Sequence, residues 1–207
     1  MLMELNNLNG ANETALHAKS VNELTALSNQ GQWQELVRIS KDVIQSLQIK
    51  EAAAEHAVAC LKQIADTQYR AVEKNKRNST ECSNRLLSLI TNKTVQSLSG
   101  RNEVIEYLGE RMIDICTMDF ECYYNLINIA NNTDIRSNIN LKALAAYYDV
   151  MFDEEGKVRP ECRKEIEHAV RYLNIRYVNM SMMTYALGEK ESEKVYLLVN
   201  YIESKRG

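Results

Sequence analysis

A chain of 207 residues with one proline and seven glycines has few places to reverse direction. Proline fixes φ and removes a backbone donor, and glycine opens positive φ, so these two residues set most tight turns. Their scarcity, together with apolar residues that recur at three- and four-residue steps, predicts an all-α fold, a bundle or array of about seven helices. Strands would need alternating apolar residues and frequent turns, and the sequence offers neither.

The spacing predicts a mobile arm over residues 1–14, which are rich in asparagine and without clear period. A helix over 16–29 follows, then a tight turn at Gln30-Gly31-Gln32. Trp33 opens the next apolar stripe, through Val37, Ile44, Leu47, Ala54, Val58, Leu61, Ala65 and Val72. That stripe predicts one long helix over 33–76, or two helices if the chain breaks near 49–52. Trp33 is expected to be buried in the resulting hairpin, near Leu24, Leu27 or Leu36. Beyond Arg77, Ser79 or Thr80 is placed to cap a helix that Ser99-Gly100 closes. Further helices are predicted over 102–130, from 135 to 151, from Pro160 to Gly188, and over 189–204. Trp33 and Tyr69 are the only aromatics before Gly100. The chain therefore reads as an extended helical hairpin and following helix over 15–99 and a compact, tyrosine-rich helical half over 100–207, with a soft boundary between them.

Composition excludes several classes of function. With 45% hydrophobic and 26% charged residues the chain can bury a sizeable core, so disorder throughout is excluded. A net charge of −3 gives no general attraction to phosphate backbones or anionic lipid, and a nucleic-acid partner is disfavoured. Lys74, Lys76 and Arg77 form the one basic cluster, and cations at a helix C-terminus already complement its dipole. No basic segment leads into an apolar run at the N-terminus and no run is long enough to span a bilayer, so a cytoplasmic protein with no membrane partner is expected. The five cysteines (Cys60, Cys82, Cys116, Cys122, Cys162) are odd in number and scattered, which reads as reduced, mostly buried thiols.

The candidate chemical motifs each lack a part. Glu165 and His168 have the Glu-x-x-His spacing of a di-iron helix, but that centre needs two copies; His168 reads as an exposed helical histidine beside acids. Phe152-Asp153-Glu154-Glu155-Gly156 has a glycine where a calcium loop would, yet the register puts Met151 and Cys162 at ligand positions. His56 and Cys60 share a helical face, within reach of a thiolate pair, but the alanines around them read as close packing about a core thiol. Cys116 and Cys122 are six apart, on different faces of one helix. Leu141 to Tyr148 could open a helix-turn-helix, but Asp149 stands where the turn glycine belongs. No phosphate-binding glycine loop and no Gly-x-Ser-x-Gly occurs, so no catalytic residue, metal or cofactor is assigned.

Asn29-Gln30-Gly31-Gln32-Trp33-Gln34-Glu35-Leu36 resembles the interhelical turn of a tetratricopeptide repeat, in which glycine, an aromatic two residues on and an apolar residue three further hold two helices together. The resemblance covers about twenty-five residues and implies a packed αα-hairpin. Leu24 and Val43 stand where the repeat has small residues, no proline ends the second helix, and no period of about 34 residues returns, so a peptide groove of that family is not implied.

The leading functional expectation is a non-enzymatic helical protein–protein interaction protein: an adaptor, chaperone-like factor or inhibitor. In the segment from Val195 to Ile202, Val195, Leu198, Val199 and Ile202 fall on one arc, with Leu197 and Tyr201 on a flanking face. Leu197 and Tyr201 are therefore the expected contact residues for a protein partner or a homodimer. The runner-up is an enzyme or small-ligand sensor with a site among Tyr123, Tyr124, Tyr147 and Tyr148; a third reading is a nucleic-acid accessory factor using Lys74, Lys76 and Arg77.

Overall fold

The computed structural model describes residues 20–132, 135, 138–175, 178 and 180–207. The expected arm over 1–14, the start of the first helix and Tyr177 lie outside the described residues. Among the described residues there are eleven α-helices, three 3-10 turns and no strand beyond one isolated bridge between Phe152 and Val158.

The first helices follow from their caps. α1 (Val21–Asn29) opens on a capping box: the Ser20 hydroxyl accepts from the Glu23 amide at 3.3 Å and the Glu23 carboxylate accepts from the Ser20 amide at 2.6 Å. Gly31, at φ +72°, then reverses the chain into α2 (Trp33–Lys41). The expected long helix over 33–76 is two helices, and the break falls at 42–46 rather than near 49–52. Asp42 leaves helical geometry at ψ 123° and its carboxylate accepts the Ile44 amide at 3.0 Å. Ser46 then caps α3 (Leu47–Lys74), accepting the Ile49 amide at 3.3 Å. These short polar side chains offer the backbone local partners that replace the helical ladder. The stripe is cut with it: Ile44 and Leu47, expected in the core, are exposed.

The predicted helices that end at Gly100 and at 130 divide for the same reason. Asn75 organises a 3-10 turn (Lys76–Asn78) by accepting the Arg77 amide at 3.2 Å, so neither Ser79 nor Thr80 caps α4 (Ser79–Ile90) as expected. Asn92 caps the short α5 (Lys93–Gln96), and Gly100, at φ +85°, leads into α6 (Arg101–Met118). Asp119 turns extended, with φ −146°, and accepts the Glu121 amide at 3.1 Å. The predicted helix over 102–130 thus becomes α6, a 3-10 turn (Phe120–Cys122) and α7 (Tyr123–Asn131). After α8 (Ile139–Met151), Pro160 stands at the head of a 3-10 turn (Pro160–Cys162) that leads into α9 (Arg163–Tyr172). α10 (Met180–Leu187) is a separate helix, and Gly188, at φ +82°, separates it from α11 (Glu189–Arg206).

α1, α2 and α3 pack on one another, α3 and α4 flank α6, α6 rests on α8, and α8 is covered by α7 and α11. One apolar cluster runs from Leu24 to Ile202 and crosses Gly100 without interruption. α6 is central to it through Val104, Leu108, Met112 and Ile115, all fully buried. Tyr147 anchors the far side, its hydroxyl donating to the Glu165 carbonyl at 3.0 Å.

The α6–α8 crossing depends on one missing methyl group. A Cβ on Gly109 would stand 2.2 Å from Ile139 Cγ1, and Gly109 lies inside a helix that alanine would otherwise favour by about 1 kcal/mol. Overpacking a core costs about 1–3 kcal/mol, so Gly109→Ala is expected to destabilise despite its better helix propensity. Urea unfolding checks this, and Ile139→Ala in the same chain is expected to recover part of the loss because it removes the atoms that clash. An alanine variant as stable as the parent would show that the helices separate without cost.

Candidate functional site

A groove of about 770 Å³ runs along α3. Leu47, Lys50, Glu51, Ala54, Val58 and Lys62 line its α3 side at helical spacing, over about 22 Å at 1.5 Å per residue. Ser40 and Lys41 from α2 form one rim, and Ser97, Ser99 and Glu103 form the other. Among the lining residues Lys62 pairs with Glu103, and Lys41 donates to the Ser97 hydroxyl and so joins α2 to the segment after α5. The floor is small and apolar at Ala54, Val58 and Ala59, so a second helix could approach α3 closely there. Leu47, in its lining, is 71% exposed, and Val43 and Ile44, just before it in the chain, are 88% and 58% exposed. Three large apolar side chains within five consecutive positions thus stand in solvent, and Ile44 and Leu47 do so because the chain leaves helical geometry at Asp42, between them and Val37.

A second recess, of about 530 Å³, lies between α6, α8, α10 and α11. Its charges are already matched: Glu110 with Lys142, Arg111 with Asp66 and Asp114, and Lys194 with Asp149 and Glu191. Arg111 also lies over the rings of Tyr69 and Tyr107, at 5.0 and 5.3 Å. The Tyr107 hydroxyl and the Asp66 carboxylate beside it hold its guanidinium above the ordinary value, while burial pushes the Asp114 carboxyl up. This network fastens α3 to α6 and α8 to α11, and a ligand would have to displace pairs already formed.

The expected contact residues part company on α11. Val195, Leu198, Val199 and Ile202 are buried together, as their arc requires, and Leu197 is 42% exposed beside the exposed Tyr196. Tyr201 is half-buried, its ring edge-on to Phe152 at 5.2 Å and under the Lys205 ammonium at 5.5 Å. The tyrosines of the alternative reading divide too. Tyr123 lies 6.1 Å from Tyr124 and 6.4 Å from Tyr147, whereas Tyr148 stacks on Phe152 at 4.5 Å. Tyr147 is enclosed, and burial pushes its hydroxyl well above the ordinary tyrosine value, which suits a structural donor better than an acid–base group.

His168 is half-buried rather than exposed as expected, packed between Tyr124 at 5.1 Å and Tyr172 at 4.4 Å. Its Nδ1 and the Glu165 Oε2 are both enclosed without a hydrogen-bond partner. Among the described residues no three or more histidine, cysteine or acidic side chains converge as a metal site would require. In the 152–159 loop the Asp153 carboxylate accepts the Glu155 and Lys157 amides, at 3.0 and 2.8 Å, and so closes its own turn. Cys60 is buried against the Trp33 amide and burial pushes its thiol up, as a core thiol requires. Lys74, Lys76 and Arg77 are exposed at the end of α3.

Cys116 and Cys122, expected on different faces, are brought together. The break at Asp119 folds the 3-10 turn back against the end of α6, so that the Cys116 thiol donates to the Cys122 carbonyl at 3.3 Å. No helix among the described residues is long and apolar enough to cross a membrane. No protein family, no curated protein and no solved structure matches this chain.

Proposed function

We propose that this chain is a non-enzymatic protein–protein interaction protein that receives an amphipathic helix of a partner protein in the groove along α3. The observation that carries the reading is Leu47, a large apolar side chain 71% exposed on the lining of a groove with a small, apolar floor, with Val43 and Ile44 exposed just before it in the chain. Leaving them there is unfavourable by about 25 cal/mol for each Å² of apolar surface, and a partner's apolar face would recover it. A helix in a groove is read through anchors one turn apart, and Ala54 and Val58 present that spacing opposite it. The mixed signs of Lys50, Glu51 and Glu55 along the α3 side suit a helix with both charges on its polar side.

A photo-crosslinker at position 47, used in the native host, is expected to capture a discrete protein. Ile44→Asp with Leu47→Asp is then expected to weaken binding of that protein about tenfold or more, because interface anchors typically carry above 1 kcal/mol each. Both side chains are exposed, so the circular dichroism spectrum stays unchanged. Binding that survives this pair of substitutions, but is lost on charge substitution of Tyr196 and Leu197, would move the contact surface to α11 and overturn the groove reading.

A further inference from the structure

The solvent face of α11 carries the pattern of the α3 groove with its charges reversed. Lys190, Glu193 and Leu197 follow one another at three- and four-residue steps, so they share one face of α11. All three are exposed, and Tyr196, 52% exposed, adds apolar surface beside Leu197. In the groove, Leu47 is followed along α3 by Lys50, Glu51, Ala54 and Glu55. Lys50, Glu51, Glu55, Lys190 and Glu193 take part in no ion pair among the described residues. Within one chain α11 packs on α8, α8 on α6 and α6 on α3, so the solvent face of α11 turns away from its own groove.

We propose, resting on the groove reading above, that the occupant of the groove is α11 of a second copy of this chain, lying antiparallel to α3. Leu197 of one copy then covers Leu47 of the other, Glu193 falls beside Lys50, and Lys190 falls beside Glu51 and Glu55. The spacings agree at 1.5 Å per residue: Glu193 stands about 6 Å along its helix from Leu197, and Lys50 about 4.5 Å from Leu47. Lys190 stands about 10.5 Å from Leu197, between the roughly 6 Å of Glu51 and 12 Å of Glu55. The flanks agree too. At about 100° per residue, Glu51 and Glu55 are turned about 100° and 140° from Lys50, and Lys190 is turned about 60° from Glu193. Two antiparallel helices face to face keep that sense of rotation, so each cation lies on the side of a carboxylate. In a parallel arrangement Asn200 and Ser204 would stand opposite Lys50 and Glu55, and the charges would go unmatched. Matched charges of this kind set direction and partner, while the leucines supply the buried contact.

Sedimentation velocity of the purified full chain over a concentration series tests this. The parent is expected to form species larger than a monomer. Leu47→Asp, which alters the groove, and Leu197→Asp, which alters α11, are each expected to weaken association about tenfold or more. An equimolar mixture of the two is expected to recover it, because one chain brings an intact groove and the other an intact α11. Should circular dichroism show that an aspartate variant fails to fold, the exposed charges serve instead. Glu193→Lys is expected to weaken association about fivefold, and adding Lys50→Glu to the same chain to recover it. A parent that stays monomeric up to about 100 μM, a Leu47→Asp chain that associates as the parent does, or a mixture and a charge exchange that recover nothing would each overturn the proposal. A monomeric parent whose crosslinker at position 47 captures a different protein would keep the groove reading and remove this occupant.

Discussion

Trp33→Ala is expected to remove about 3 kcal/mol or more of folding stability, the usual cost of truncating a buried aromatic side chain. Trp33 opens α2 with only 6% of its surface exposed, in the same apolar cluster as Leu24, Leu36 and Cys60. Its removal leaves a cavity that three helices would have to close, and their small residues are already in contact: Ala53 and Ala57 of α3 are fully buried. Trp33→Phe, which refills much of the volume, is expected to cost less. Because Trp33 is the only tryptophan, unfolding of the alanine variant is followed by circular dichroism rather than by indole emission. An unchanged urea midpoint would show that the hairpin holds without its indole.

Alkaline pH is expected to destabilise the fold steeply. Burial pushes up the thiols of Cys60, Cys82 and Cys162; Cys116 is raised by its hydrogen bond to Cys122 and by burial, and the Tyr147 hydroxyl is raised by burial. Each stays protonated in the folded chain at a pH where the unfolded chain has lost that proton. The stability it contributes is complete below the ordinary thiol value of 9.0 and is lost as pH rises above it. Tyr147 adds to the loss above its own ordinary value of 10.0. Cys122 works in the opposite sense. Its proton leaves the folded chain at about 6, so its contribution is present above 9.0 and disappears as pH falls through about 6. Urea midpoints measured with a phosphine reductant should therefore rise from about pH 6 toward 9 and fall beyond it. Cys60→Ala is expected to make the alkaline fall shallower, and a midpoint constant above pH 9 would mean that the buried thiols ionise as freely folded as unfolded.

Helical character was legible because it needs only periodicity and the absence of breakers. The hairpin turn at Gly31, the buried Trp33, the start after Pro160 and the boundary at Gly188 were legible because glycine and proline act through their own backbones. The breaks at Asp42, Asn92 and Asp119 were not. There the chain stops on a side-chain carbonyl or carboxylate that accepts a nearby amide, and the same residue types sit without interruption inside helices at Asp114 and Asp149. Which of them breaks a helix depends on packing that sequence spacing does not encode. The candidate sites suffered from the same omission. Ile44 and Leu47 fit a continuous stripe, so these solvent-facing side chains looked like core; Cys116 and Cys122 fell on different faces of a predicted helix that in fact ends between them. On α11 the helical arc placed its buried residues correctly, but Tyr201 is held by Phe152, 49 positions earlier in the chain.

The packing of α11 over α8 also sets an order of events during synthesis. α1, α2 and α3 are neighbours in the chain and in space, so they can assemble as soon as they emerge. The face of α8 cannot: Asp149 meets Lys194 only 45 residues later. At translation rates of about 5–20 residues per second that is a delay of roughly 2–9 s, in which Phe152 waits for the Tyr201 ring that packs on it. For those seconds the nascent chain shows the α8 face that α11 later covers.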